Sequence, residues 1–243
     1  MKKSICYLLL LAAIIFTAPS CDPDDDGWFG DCTKGEGPEV ERVLNMPDFT
    51  GVKLSCEAKV FITQGDTFEV VAKGEANIID ELELDVQDDT WTIEFDHCVK
   101  SYDLAIYITM PTIQYLALSG SGDIRGENFF TVQDIVLRVS GSGSLCLGLN
   151  AEDVDGKISG SGRVELEGEA ESLDFDISGS GDLKAFNMPV EKADISISGS
   201  GDASVNVLEV LDVRISGSGD VYYKGYPTIN SNISGSGDVV DAN

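Results

Sequence analysis

"ISGSGDL", residues 177–183, is the stretch whose reading decides the fold. SGSGD stands at residues 119, 178, 198, 216 and 234, and the relaxed forms SGSGS and SGSGR stand at 140 and 159. Seven SGSG units therefore follow one another, with successive starts 21, 19, 19, 20, 18 and 18 residues apart. A period near twenty marks a solenoid. The residue before each first Ser is Leu118, Val139, Ile158, Ile177, Ile197, Ile215 and Ile233, apolar in every copy. Two residues earlier come Leu116, Leu137, Gly156, Phe175, Ile195, Val213 and Ser231, on the same face because strand side chains alternate. Ala117, Arg138, Lys157, Asp176, Ser196, Arg214 and Asn232 lie between them and face water.

Carried through the motif, this alternation puts both glycines inside, where the chain bends or a side chain would collide, and both serines and the Asp outside. Pairing each strand with its copy one repeat later gives a parallel β-solenoid, three short strands and their corners to a rung. Seven rungs at about 4.8 Å each make a column of roughly 34 Å.

Residues 46–111 read differently. "FTGVKLS", "KVFITQ", "TFEVVAK", "TWTIEF" and "DLAIYIT" alternate β-branched and aromatic residues between turn signals, predicting five or more strands. "ANIIDELEL" is the one place for a helical turn. This segment caps one end of the solenoid, residues 112–243, and is continuous with it. Residues 21–45, rich in Asp, Gly, Glu and Pro, read as a solvated tether.

The chain has 243 residues, 42% of them apolar, enough for a packed core. Its 43 acids against 16 bases give a net charge of -27, which excludes nucleic acid as a partner. Residues 1–20, "MKKSICYLLLLAAIIFTAPS", have a Lys pair, an apolar run and small residues, the pattern of a signal peptide. Removing them takes away two Lys and no acid, moving -27 to -29.

"APSC" before "DPDDD" resembles a bacterial lipobox with Ala18 where Leu is usual, and the acidic run resembles an outer-membrane surface-export tag. That resemblance implies lipidation at Cys21 and a membrane anchor. Ordinary cleavage after Ser20 would leave Cys21 unmodified. Four further cysteines remain, and an oxidising compartment permits three full pairings. Cys32 and Cys98 lie in polar, loop-like contexts, so the reading pairs these two.

The ordered run from "FTGVKL" through "LAIYITMPTIQYLALSGSGDI" and the SGSGD units resembles the bacterial family called putative auto-transporter adhesin, head GIN domain, over about residues 38–240. The resemblance implies a right-handed β-helix on a secreted or surface lipoprotein. It brings no catalytic residues.

Three chemistries are weighed. Asp182, Asp202, Asp220 and Asp238 form one outward column on successive rungs, a candidate Ca2+ site. SGSGD resembles the GGxGxD calcium repeat of β-rolls, but that repeat recurs every nine residues and nothing here fills the half-period. Charges about 4.8 Å apart repel by roughly 0.9 kcal/mol in water, so a solvated acidic ridge explains the column equally well. Catalysis lacks a convergent set: Arg125, Arg138, Arg163 and Arg214 fall on different parts of their rungs, and His97 is a lone loop histidine. Recognition is the third, with Tyr222 and Tyr226 as candidate ligand contacts and Tyr223 turned inward. The expected protein is a non-catalytic, outer-membrane, lipid-anchored binding module for glycan or protein. A polysaccharide-acting enzyme and an envelope spacer are the alternatives.

Overall fold

A computed structural model describes residues 32–243. Residues 1–20, read above as a signal peptide, Cys21 and the acidic run after it lie outside the described residues. The chain is all-β, with one short helix at Ala76–Ile79 in the segment expected to hold it. Its strands stack in a parallel β-solenoid of about seven turns.

Register follows the repeat. Leu118 pairs with Val139, then Ile158, Ile177, Ile197, Ile215 and Ile233, each directly over the last. All but the last are buried. Ile233 remains 39% exposed because its strand, Thr228–Gly235, has a neighbouring rung on one side only. Phe175 fills the space that Gly156 leaves on the preceding rung, where a Cβ would come 2.0 Å from the ring. Ala117 departs from the outward expectation and is buried, flanked in the ladder by the longer stems of Lys53 and Arg138.

The two glycines of each motif do different work, which corrects the reading that both face the axis. The second is buried; at Gly201 a Cβ would sit 2.1 Å from the Gly181 carbonyl oxygen of the rung beneath. The first is partly exposed and forms the corner, with φ of 142° at Gly199, a conformation that side chains resist. Serines on both sides of the corner face solvent as expected.

Each rung has two long runs. One wall, here called the regular wall, is formed by the runs that end in SGSG, such as Asp134–Gly141. The other, the bulged wall, is formed by the runs that follow the motif, beginning with Asp123–Thr131.

The amino-terminal segment extends both walls. Gly51–Leu54 and Thr90–Ile93 continue the regular wall in parallel, and Lys59–Gln64 and Leu104–Met110 continue the bulged one. Antiparallel strands Glu69–Glu75 and Glu39–Val43 then close that end. Beneath them Phe49 packs edge-on to Phe68, 4.9 Å between centroids, and against Trp91.

The folded body begins earlier than the tether reading expects. Thr33–Lys34 pairs with Val99–Lys100, and Glu39–Val43 alternates in burial as an edge strand. A disulfide between Cys32 and Cys98, 66 residues apart in sequence, fastens this start to the cap. Polar composition hid the pairing, because an edge strand needs few apolar residues. Among the described residues no helix is long and apolar enough to cross a membrane.

Candidate functional site

Unequal repeat lengths locate the site. On the bulged wall the register slips between Arg125 and Phe129, again between Glu165 and Glu167, and again between Ala185 and Pro189. Residues inserted into one run of a ladder are left unpaired and bend that run. The first and last slips raise two ridges, at residues 126–128 and 186–188, with Glu127, Asn128 and Asn187 exposed while Met188 turns back into the core. Between them lies a groove of about 690 Å³.

Its floor is two consecutive rungs, Cys146-Leu147-Gly148 and Glu165-Leu166-Glu167. Arg125 and Gly126 form one rim, Lys184, Phe186 and Asn187 the other, with Ser204 and Lys224 beyond. A second depression of about 450 Å³ adjoins it, lined by Lys59, Phe61, Asp123, Arg125, Arg163 and Glu165 among others.

Both ridges are pinned. Asn128 Nδ2 donates to the Gln64 carbonyl at 2.9 Å while its Oδ1 accepts from the Gln64 amide at 2.9 Å. Gln64 in turn accepts from the Thr131 amide at 2.8 Å. Asn206 Nδ2 donates to the Phe186 carbonyl at 3.4 Å, and Lys224 Nζ lies 4.7 Å over the Phe186 ring. Gly148 lets the half-exposed Phe129 ring come close to the floor, since a Cβ there would already be 3.1 Å from it.

Two Arg that look scattered in sequence, Arg125 and Arg163, line the same depression. The reading that nothing converges holds only for Arg138 and Arg214, on the opposite wall. Together the groove and its neighbour gather five cations, Lys59, Arg125, Arg163, Lys184 and Lys224, against three carboxylates, Asp123, Glu165 and Glu167. In a chain of net charge -27 this is a local reversal of sign. Among the described residues, Arg125, Lys184 and Lys224 make no ion pair.

Aromatic faces flank these charges. The Phe61 and Tyr107 rings stack with centroids 5.0 Å apart and planes 14° from parallel. Register places Tyr107, Phe61, Arg125, Cys146, Glu165, Lys184, Ser204 and Tyr222 in one outward column. Burial raises the Cys146 thiol pKa, and Glu165 adds to the shift.

Sequence-based candidates fall in several places. Tyr222 edges this column, and its hydroxyl donates to Asp220 Oδ2 at 3.2 Å. Tyr223 packs against the core, and Tyr226 stands apart at 91% exposure, so the tyrosines do not form one surface. Asp202 Oδ1 accepts from the Asp220 amide at 2.8 Å, and Asp220 Oδ1 from the Asp238 amide at 2.8 Å. These carboxylates thus cap backbone donors at the corner of the next rung. Asp182 lies 3.9 Å from Arg163. Among the described residues no three or more His, Cys, Asp or Glu gather to hold a metal. His97 contacts Glu81 at 3.2 Å, and its neighbour Cys98 is in the disulfide. Cys56 and Cys146 are free, with burial pushing the Cys56 thiol up to about 12.

The architecture recurs in solved structures. An adhesin described as putative from Bacteroides fragilis superimposes with a TM-score of 0.80 at 25% identity, covering 86% of this chain and 99% of that one. Another from Parabacteroides merdae gives 0.73 at 20% identity, covering 88% and 100%. A protein from Parabacteroides distasonis titled a putative lipid binding protein gives 0.72 at 22% identity, covering 88% and 100%. No curated protein matches the chain. The family model for "Putative auto-transporter adhesin, head GIN domain" matches residues 48–227, and the chain belongs to that family.

Proposed function

We propose that this protein is a non-catalytic, adhesin-like binding module held at the cell surface by a lipid on Cys21, and that it takes a glycan or protein ligand in the groove of the bulged wall. The observation that carries this is a groove between two pinned ridges, rimmed by Arg125 and Lys184, which make no ion pair among the described residues, and by Phe186. Concave sites with a few convergent polar groups are where ligands bind. Pre-set side chains also lower the ordering cost of association.

Ser204→Trp, which projects an indole from the outward column into the groove, tests the site. Beads carrying the wild-type protein should attach to one or more surfaces of a combined glycan and surface-protein array, and the variant should lose that attachment. Equal attachment by both would remove the groove from the account. Release of new reducing ends from a bound polysaccharide would replace the binding module with an enzyme. Mass spectrometry of the mature amino terminus tests the anchor: a diacylglyceryl group on Cys21 is expected, and a free thiol there contradicts it.

A further inference from the structure

We infer that the groove's ligand is an acidic polysaccharide laid across the rungs; this rests on the reading of the groove as the binding site. The spacing of the cations sets the size of the ligand. Arg125 and Lys184 occupy the same outward column three rungs apart, which at about 4.8 Å per rung separates their stems by about 14 Å. Lys224 lies two rungs further, about 10 Å on, in the column two residues along. No small anion reaches all three. A polymer that repeats its negative charge along its length does.

Between the cations stand Glu165 and Glu167, acceptor-only groups that are exposed on the groove floor. They suit hydroxyl donors alternating with the polymer's anionic groups, which a plain polyanion does not offer. Phe186, on the groove's rim, presents apolar surface to the unsubstituted face of a sugar ring.

An acidic peptide fits less well. Strand addition needs an open edge, whereas the floor strands are hydrogen-bonded on both sides to neighbouring rungs. An anionic membrane is flat, and the ridges hold the floor away from it.

The test uses polygalacturonate and chondroitin sulfate as acidic probes, with fully methyl-esterified polygalacturonate as the uncharged counterpart and phosphatidylserine-containing vesicles as the lipid arm. The wild-type protein should bind one or both acidic polymers, less tightly as salt is raised, and neither the ester nor the vesicles. Arg125→Gln should weaken binding about tenfold, and Arg125→Gln/Lys184→Gln about a hundredfold, with unchanged circular dichroism. Binding to the ester as tight as to the acid, binding to vesicles, or no binding to either acidic polymer would overturn the inference. If attachment in the array assay is still lost in Ser204→Trp, the groove survives as the site and only the ligand class fails. If Ser204→Trp attaches normally, the site itself fails.

Discussion

The regular and bulged walls are made by the same rungs, yet they treat charge in opposite ways. On the regular wall Asp155, Asp174, Asp194 and Asp212 stack on four successive rungs, a ladder the SGSG alignment does not draw attention to. Its neighbouring cations are engaged at home. Arg138 is bidentate to Asp155 at 3.0 and 2.8 Å, Arg214 reaches both oxygens of Asp194 at 2.6 and 2.9 Å, and Lys157 lies 3.8 Å from Asp176. On the bulged wall Arg163 lies 3.9 Å from Asp182 and Lys59 3.6 Å from Asp103, but Arg125 and Lys184 stay unpaired among the described residues. The ladder's neighbouring cations on the regular wall are neutralised in place; beside the register slips, these two cations face a cavity.

The largest effect expected on this contrast comes from the core under the regular wall. Phe175→Ala should cost about 3–5 kcal/mol, because the ring fills the space that Gly156 leaves and that space cannot easily collapse. Denaturant unfolding measures it, and a loss below about 1 kcal/mol would mean that the two positions are not complementary.

Gly201→Ala comes next. A Cβ 2.1 Å from a backbone oxygen forces the rungs apart, at about 1–3 kcal/mol. The same substitution at Gly37, where nothing lies within 4 Å but φ is 93°, separates backbone strain from collision.

Smaller still is the surface comparison. Arg138→Gln should lose up to about 1 kcal/mol with its partly exposed pair, whereas Arg125→Gln should leave thermal stability unchanged. Equal losses in the two would show that Arg125 is structural.

The smallest concerns Asp174, whose pKa is raised by burial first and then by the Asp194, Asp155 and Asp176 carboxylates. The folded state binds that proton more tightly than the unfolded chain. The stability so gained is complete below the ordinary Asp value and is lost as pH rises through the raised one. Asp174→Asn should therefore raise the melting temperature slightly at pH near 7, with the difference vanishing near pH 3. A difference that grew on acidification would contradict the sign.

The regular wall was legible in the sequence because its signal is periodic. Leu118 through Ile215 repeat a branched aliphatic residue at one phase, and a ladder in register needs no further information. The corner was legible only in part: alternation cannot distinguish Gly199, partly exposed at positive φ, from Gly201, buried without it, since both are glycine. The groove was written only in the deviations. Spacings of 21 and 20 announce inserted residues without saying where along the rung they fall; the pairing of Arg125 with Cys146 and Phe129 with Gly148 places the first, and that of Ala185 with Val205 and Pro189 with Asn206 the second. For the same reason Arg125 and Arg163 looked unrelated. Spacing in the Asp column likewise cannot show that Asp202 and Asp220 each use one oxygen to accept the backbone amide of the next rung.

The most direct measurement of the claim that binding resides in the bulged wall is a side-by-side titration of two double variants with whichever of polygalacturonate and chondroitin sulfate the wild-type protein binds. Arg125→Gln/Lys184→Gln removes two cations from the groove, and Arg138→Gln/Arg214→Gln removes two from the regular wall, so net charge changes equally. The account predicts affinity lost in the first and retained in the second. Equal loss in both, or loss confined to the second, would contradict it.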